Sequence, residues 1–291
     1  MCIRDRSNHD VTVITRRMGG GFGGKESQGN LPAIVAALAA KLTGRPAKII
    51  YDRDDDFILT GKRHDFQISY KVGFEDNGLI NSVIVDQAMR CGMSWDLSEA
   101  IAARAMCHAE NSYFIKNMRI TSHRLKTNTQ SNTAFRGFGG PQGIVGMERV
   151  IDHVAYHLNI DPLLVRERNF YPHKTSTEYG KTPYGQTVHD CVIQDIISEL
   201  KKTSNYFERR QSIEKFNKNN DFLKRGIALT PVKFGISFNA SFLNQAGALL
   251  HVYNDGSVYL NHGGTEMGQG LNTKIAQIVA NEFKLPLNKI K

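Results

Sequence analysis

Cysteine is scarce in this sequence, and the few that occur lie far apart. The 291 residues hold four, Cys2, Cys91, Cys107 and Cys191, with no CxxC pair. That spacing argues against a disulfide framework or a zinc site and reads as reduced thiols in a cytoplasmic protein. Long apolar runs are missing too. The most apolar stretch, residues 31–42, is alanine-rich and interrupted by Pro32 and Lys41. It falls short of the ~18 residues a membrane span needs and reads as a buried helix. No signal peptide opens the chain: residues 1–7 (MCIRDRS) are charged and no apolar core follows them. They read as a non-native leader. Acidic residues are also in deficit, 28 against 37 Lys and Arg, which leaves a net charge of +9. The basic residues are scattered, however. Their densest stretch, 201–225, also carries Glu208, Glu214 and Asp221. It looks like a solvated helix surface or linker rather than a polyanion-binding patch.

The pattern of what remains predicts mixed helices and strands, an α+β chain of one or two domains. β-Branched alternation predicts a strand over 11–15, and a second strand is expected over 47–51. Pro32 and Gly44 bracket a helix over 30–42. Asp52 is placed to cap a short helix. Residues 66–72 and 79–89 are expected to pair antiparallel around the Asp76-Asn77-Gly78 turn. Helices are predicted over 98–108, then through Ile144, Met147, Val150, Ile151, Val154 and Leu158 at helical spacing. Asp161 and Pro162 suit the N-cap and first position of another helix, and one more is expected over 192–201. A hairpin over 248–253 and 257–262 and a helix over 272–283 complete the list. Residues 8–202 are expected to form a first domain, 203–222 a linker region, and 223–291 the start of a second.

Half of the 26 glycines fall in three short segments. Gly19, Gly20, Gly21, Gly23 and Gly24 form the first. Gly137, Gly139, Gly140 and Gly143 form the second, and Gly263, Gly264, Gly268 and Gly270 the third. Each precedes a predicted helix. Glycine permits positive φ and close backbone approach, so such segments aim exposed N–H groups at a bound group. Three familiar fingerprints nearly match and fail. Gly19, Gly21 and Gly24 satisfy G-x-G-x-x-G, but Asp52 and Asp54 come late for the ribose acid, and the following strands pair as a hairpin. A Walker A loop needs Ser or Thr after Lys25, where Glu26 stands and would repel a triphosphate. Residues 136–139 (RGFG) start like an RNA-recognition strand, which Pro141 breaks.

Taken whole, RMGGGFGGKE (17–26), NTAFRGFGGPQ (132–142) and GGTEMGQGLNTK (263–274) resemble the molybdopterin-binding segments of the xanthine dehydrogenase and aldehyde oxidase family. KFGISF (233–238) and LNQAGALLHVY (243–253) fit as well, so the likeness covers nearly everything from residue 11 onward. It implies the family's two-domain molybdenum-cofactor-binding architecture, incomplete here at both ends. The implied chemistry is hydroxylation of an electron-poor carbon at a molybdenum bearing a sulfido group. A glutamate serves as base, and electrons leave through 2Fe–2S clusters and FAD on another domain or subunit. The pterin dithiolene, rather than side chains, holds the metal. By the same resemblance Phe22 and Arg136 lie at the molybdenum through backbone groups. Gly21, Met267, Gly268 and Gln269 would contact the pterin or its phosphate.

Within the resemblance, Glu26 and Arg104 carry the substrate expectation. Xanthine dehydrogenases have Glu and Arg at the matching positions, where aldehyde oxidases tend to be apolar. A purine gains negative charge on its oxygen and ring nitrogens during attack, which a cation such as Arg104 would stabilise. Glu26 would hydrogen-bond purine nitrogens, and Phe138 would stack on the ring. Asn239 stands where the family usually has a substrate-binding threonine. The glutamate base is expected beyond Lys291, so no catalytic base is assigned within the chain, which should be inactive alone. The implied partners are hypoxanthine or xanthine and the iron–sulfur and FAD part, within a dimer. No nucleic acid or membrane is expected. An aldehyde oxidase relative is the close alternative, and a basic RNA-binding module the remote one.

Overall fold

A computed structural model describes residue 14, residues 18–239 and residues 241–291. The leader at 1–7 and nearly all of the strand expected over 11–15 lie outside the described residues. Contacts divide the chain into two compact units that interleave in sequence. The described residues of Met1–Lys62, Thr133–Arg136 and Ala240–Lys291 form one. Arg63–Asn132 and Gly137–Asn239 form the other.

The second of these units holds the main core. Strand β1 (Phe66–Phe74) places apolar residues at every second position, which is what a half-buried strand requires. It pairs antiparallel with β2 (Ile80–Gly92), Tyr70 facing Val85, as its hairpin pattern predicts. Helix α3 (Ser98–Cys107) then crosses to β3 (Asn117–Lys126), which lies parallel to β2. Helix α4 (Gly140–Leu158) buries Met147, Val150, Ile151 and Val154, the face its spacing announces. Helix α5 (Pro162–Asn169) starts where Asp161 accepts the Leu163 N–H at 2.7 Å. Helices α6 (Ile193–Thr203) and α7 (Tyr206–Lys218) follow. Val83, Val85, Tyr113, Ile151, Leu163 and Ile197 share one apolar cluster with these helices.

The stretch 203–222, expected as a linker region, carries α7, whose Tyr206 is buried. Residues 223–239 belong with the unit that precedes them rather than with the residues that follow.

The other unit is built from α1 (Asn30–Thr43), α2 (Arg53–Leu59), the hairpin β4 (Ala248–Val252) and β5 (Val258–His262), and α8 (Leu271–Phe283). Gly44 ends α1 in the left-handed region at φ 66° and returns its N–H to the Ala40 carbonyl. Asp52 caps α2 by accepting the Asp55 N–H at 2.8 Å. Two expectations are corrected here. Residues 47–51 carry no strand: among the described residues they pair with no other strand, and propensity alone makes no ladder. Helix α1 is not buried: its apolar stripe, Leu31, Ile34, Val35, Leu38 and Leu42, is exposed.

Candidate functional site

The first two glycine segments contain the same tetrapeptide, Gly-Phe-Gly-Gly, at 21–24 and 137–140. Both copies fold alike. Phe22 and Phe138 adopt φ of 50° and 53°, and Gly23 and Gly139 adopt 90° and 93°. Each turn closes with a 2.9 Å bond, from the Gly24 N–H to the Gly21 carbonyl and from the Gly140 N–H to the Gly137 carbonyl. Positive φ at both central positions marks a primed turn, which normally selects glycine or asparagine. A phenylalanine held there costs about 1–2 kcal/mol. Strain kept twice, on the same residue type, is the mark of a functional constraint.

Around the first turn the proposed cofactor residues converge within one unit. The Arg136 N–H donates to the Phe22 carbonyl at 2.7 Å, joining residues 133–136 to the first glycine segment. A Cβ added to Gly23 would lie 3.1 Å from the Ala134 carbonyl carbon, so the approach of these backbones needs a glycine. One added to Gly21 would lie 2.5 Å from Met267 Sδ, which brings the third segment alongside the first. The Phe22 ring itself is exposed. Glu26 is exposed in the turn before α1 and lies outside that helix's first turn, so it does not serve the helix dipole there.

A carboxylate that the sequence reading passed over organises the third segment. Glu266 Oε1 accepts the N–H groups of Gly268 at 2.8 Å and Gly270 at 3.1 Å, and its Oε2 accepts that of Asn272 at 3.1 Å. The Asn272 and Gly268 amides hold its carboxyl below the usual range. An anion therefore already occupies the N-terminal amides of α8, the place that a ligand phosphate would otherwise take. The Gln269 side chain is turned into the same loop. It accepts the Met267 N–H at 2.6 Å and donates to the Thr265 carbonyl at 2.9 Å.

The residues fit a pterin cofactor held by backbone groups. Cβ atoms built on the positive-φ glycines Gly19, Gly268 and Gly270 meet nothing within 4 Å, so a bound group has room to approach the loops there, even where Glu266 already takes the Gly268 and Gly270 N–H groups.

Arg104, Phe138 and Asn239 lie in the other unit. Arg104 sits in the last turn of α3, 6% exposed. Its two Nη atoms donate to the carbonyls of Gly235 and Ser237. The guanidinium carbon stands 5.8 Å from the centre of the Phe138 ring and 5.4 Å from that of Phe234. Burial lowers the Arg104 pKa from its ordinary value. Phe138 also meets Phe238 edge-on at 5.4 Å. The Asn239 side-chain amide donates to the Ala100 carbonyl at 2.9 Å.

Residues 231–239 form a strap that α3 and its following turn hold from one side. Asn111 binds the strap twice, donating to the Pro231 carbonyl at 2.9 Å and accepting the Lys233 N–H at 3.1 Å. The Lys233 ammonium pairs with buried Glu110, and Gly235 donates to His108 at 3.0 Å. Sequence reasoning missed these groups. The available signal was helical: Arg104, His108 and Asn111 recur at one-turn spacing.

Glycine turns that expose backbone, with no sheet ladder to consume it, define a class of domain that cradles a cofactor by its main chain. The family described as the molybdopterin cofactor-binding domain matches residues 3–170, and a second family of the same description matches 199–291. The chain belongs to the molybdopterin cofactor-binding domain family, as a two-domain α+β segment. It is 47% identical over 280 residues to a xanthine dehydrogenase of Oryza sativa subsp. japonica, covering 96% of this chain and 20% of that protein. Likeness to the xanthine dehydrogenase/oxidase of Mus musculus is equal, 47% over 280 residues, with coverage of 96% and 21%. The chain thus spans about one fifth of the length of these curated relatives. Among solved structures, quinoline 2-oxidoreductase from Pseudomonas putida 86 superposes with a TM-score of 0.75 at 22% identity. That match covers 94% of this chain and 36% of the other, and shows the shared fold. No helix among the described residues is long and apolar enough to cross a membrane.

Proposed function

We propose that the chain is the molybdenum-cofactor-binding part of a xanthine dehydrogenase, which oxidises hypoxanthine and xanthine to urate in the cytoplasm. Identity of 47% along nearly the whole chain to two xanthine dehydrogenases supports this reading. The observation that carries the substrate assignment is the buried guanidinium of Arg104 between two phenylalanine rings.

In this reading the backbone groups of Phe22 and Arg136 would hold the molybdenum end of the cofactor. Gly21, Met267, Gly268 and Gln269 line the pterin, with Glu266 keeping their loop in shape. When bound, the molybdenum cofactor, expected in its sulfido form, would supply the two-electron redox chemistry, with 2Fe–2S clusters and FAD as the onward acceptors. Arg104 would stabilise the negative charge that develops on the purine oxygen. Removal from bulk water raises the value of that interaction. Phe138 would stack on the ring, Glu26 would bind ring nitrogens, and Asn239 would take the polar contact usually made by a threonine. Dimers of the full-length enzyme are expected.

The test uses the full-length enzyme. Glu26→Val combined with Arg104→Met should move preference from xanthine toward an aromatic aldehyde. An unchanged ratio of the two kcat/KM values would remove the purine assignment.

A further inference from the structure

We infer that His108 is a positioning residue for Arg104, setting the guanidinium through the strap carbonyl that it grips. The inference rests on the reading of Arg104 as the substrate cation. His108 lies one helical turn beyond Arg104 and is 4% exposed. Its Nδ1 stands 2.8 Å from the Arg104 carbonyl, and its Nε2 stands 3.0 Å from the Gly235 N–H. A carbonyl only accepts and an amide N–H only donates, so these partners fix one neutral tautomer, protonated on Nδ1. Burial pushes the pKa of His108 down, in agreement with an uncharged ring.

The ring spans the distance between the backbone of Arg104 and the residue whose carbonyl receives an Arg104 Nη. One end of the arginine is therefore referenced to the other through a rigid five-membered ring. Phe234 closes the arrangement. It packs 4.9 Å from the imidazole, and Arg104 stands over its ring. On a further side it meets Gly140, where a Cβ would come within 2.5 Å of its Cε2. A long, flexible cation held this way is already oriented before substrate arrives, which removes the entropy cost of orienting it during the reaction.

The experiment compares variants of the full-length enzyme on xanthine and on an aromatic aldehyde that makes no demand on Arg104. His108→Phe keeps a ring against Phe234 and deletes both polar contacts. It should lower kcat/KM for xanthine about tenfold and leave the aldehyde within about twofold. His108→Gln returns an acceptor to the Gly235 N–H and should recover most of the loss. Equal loss on both substrates, no loss, or failure of glutamine to rescue would each overturn the positioning role. Should His108→Phe fail to accumulate, His108→Asn takes its place, since it keeps a donor for the Arg104 carbonyl and is too short to reach Gly235. Arg104→Met separates the two ideas. If it leaves the substrate ratio unchanged, the reading of Arg104 fails. If it shifts the ratio while the His108 variants do not, only the positioning inference fails.

Discussion

Arg166 of α5 grips Glu148 of α4 with two nitrogens, Nε at 2.9 Å and Nη2 at 2.8 Å from the same carboxylate oxygen. The other oxygen of Glu148 accepts from Tyr113 at 2.6 Å and from Asn111 at 2.8 Å. The arginine side chain is 3% exposed and the glutamate 14%, so neither charge is well hydrated. Arg166 Nη2 also pairs with Asp152 at 2.9 Å, so loss of Glu148 leaves the arginine one carboxylate but removes the acceptor of Tyr113 and Asn111. Glu148→Ala is expected to destabilise the protein by about 1–3 kcal/mol in a denaturant titration, because buried donors lose their acceptor while Arg166 keeps Asp152. Glu148→Gln, which keeps an acceptor for Tyr113, should cost less. A change below ~1 kcal/mol for the alanine variant would show that Asp152 and water together satisfy the groups that Glu148 leaves. Asn111 also holds the strap, so the variant links core stability to the surroundings of Arg104.

Helices α3 and α4 meet through glycine. A Cβ on Gly139 would lie 2.2 Å from the Ile101 carbonyl oxygen, and one on Gly143 would lie 2.3 Å from that of Ala105. Backbone cannot swing aside as a side chain can. Gly143→Ala should cost about 1–3 kcal/mol by overpacking. Gly139→Ala should cost more, because φ of 93° adds backbone strain to the collision. Thermal unfolding of both variants tests the order. Gly139 follows Phe138 in its turn, so this variant should also weaken xanthine binding, whereas Gly185→Ala, with nothing within 4 Å of its Cβ, should not.

The Glu266 carboxylate gives the third glycine segment a pH dependence. Its folded pKa lies below the ordinary 4.5 because backbone N–H groups bind the charged form. The contribution to loop order is therefore complete above about pH 4.5 and is lost as pH falls through the folded value. Hydrogen exchange, corrected for intrinsic rates, should show Gly268, Gly270 and Asn272 opening as pH drops through that window. Glu266→Ala should show the same opening at neutral pH and should retain less molybdopterin after purification. Protection unchanged in Glu266→Ala would mean that the turn holds without the carboxylate.

Local signals were legible where one residue decides the geometry. Asp52 and Asp161 cap the helices they announce, Gly44 ends α1, and the alternation in 66–74 gives a strand with the expected partner. Strand β3 was missed because its faces mix Met118 and Ile120 with Ser122 and Arg124, so no clean period marks it. Residues 47–51 misled in the opposite direction, since β-branched composition supplies propensity but not a neighbouring strand. Of the proposed site, the glycines, Phe22, Phe138, Arg104 and Arg136 were readable from motifs. Glu266 and His108 were not singled out, because their work is done on backbone groups.

By itself the sequence determined the three glycine segments, and with them a chain that presents main-chain donors rather than metal-ligating side chains. Tertiary structure decided what holds the residues around them within each unit. It closed the strap over α3 and its following turn by contacts spanning 120 to 139 residues. The physical reason lies in range. Caps, turns and periodicity act within a few residues and leave a pattern in the letters. A side chain that satisfies a backbone group over a hundred residues away leaves none, because any carbonyl or amide brought to the right place by packing would serve.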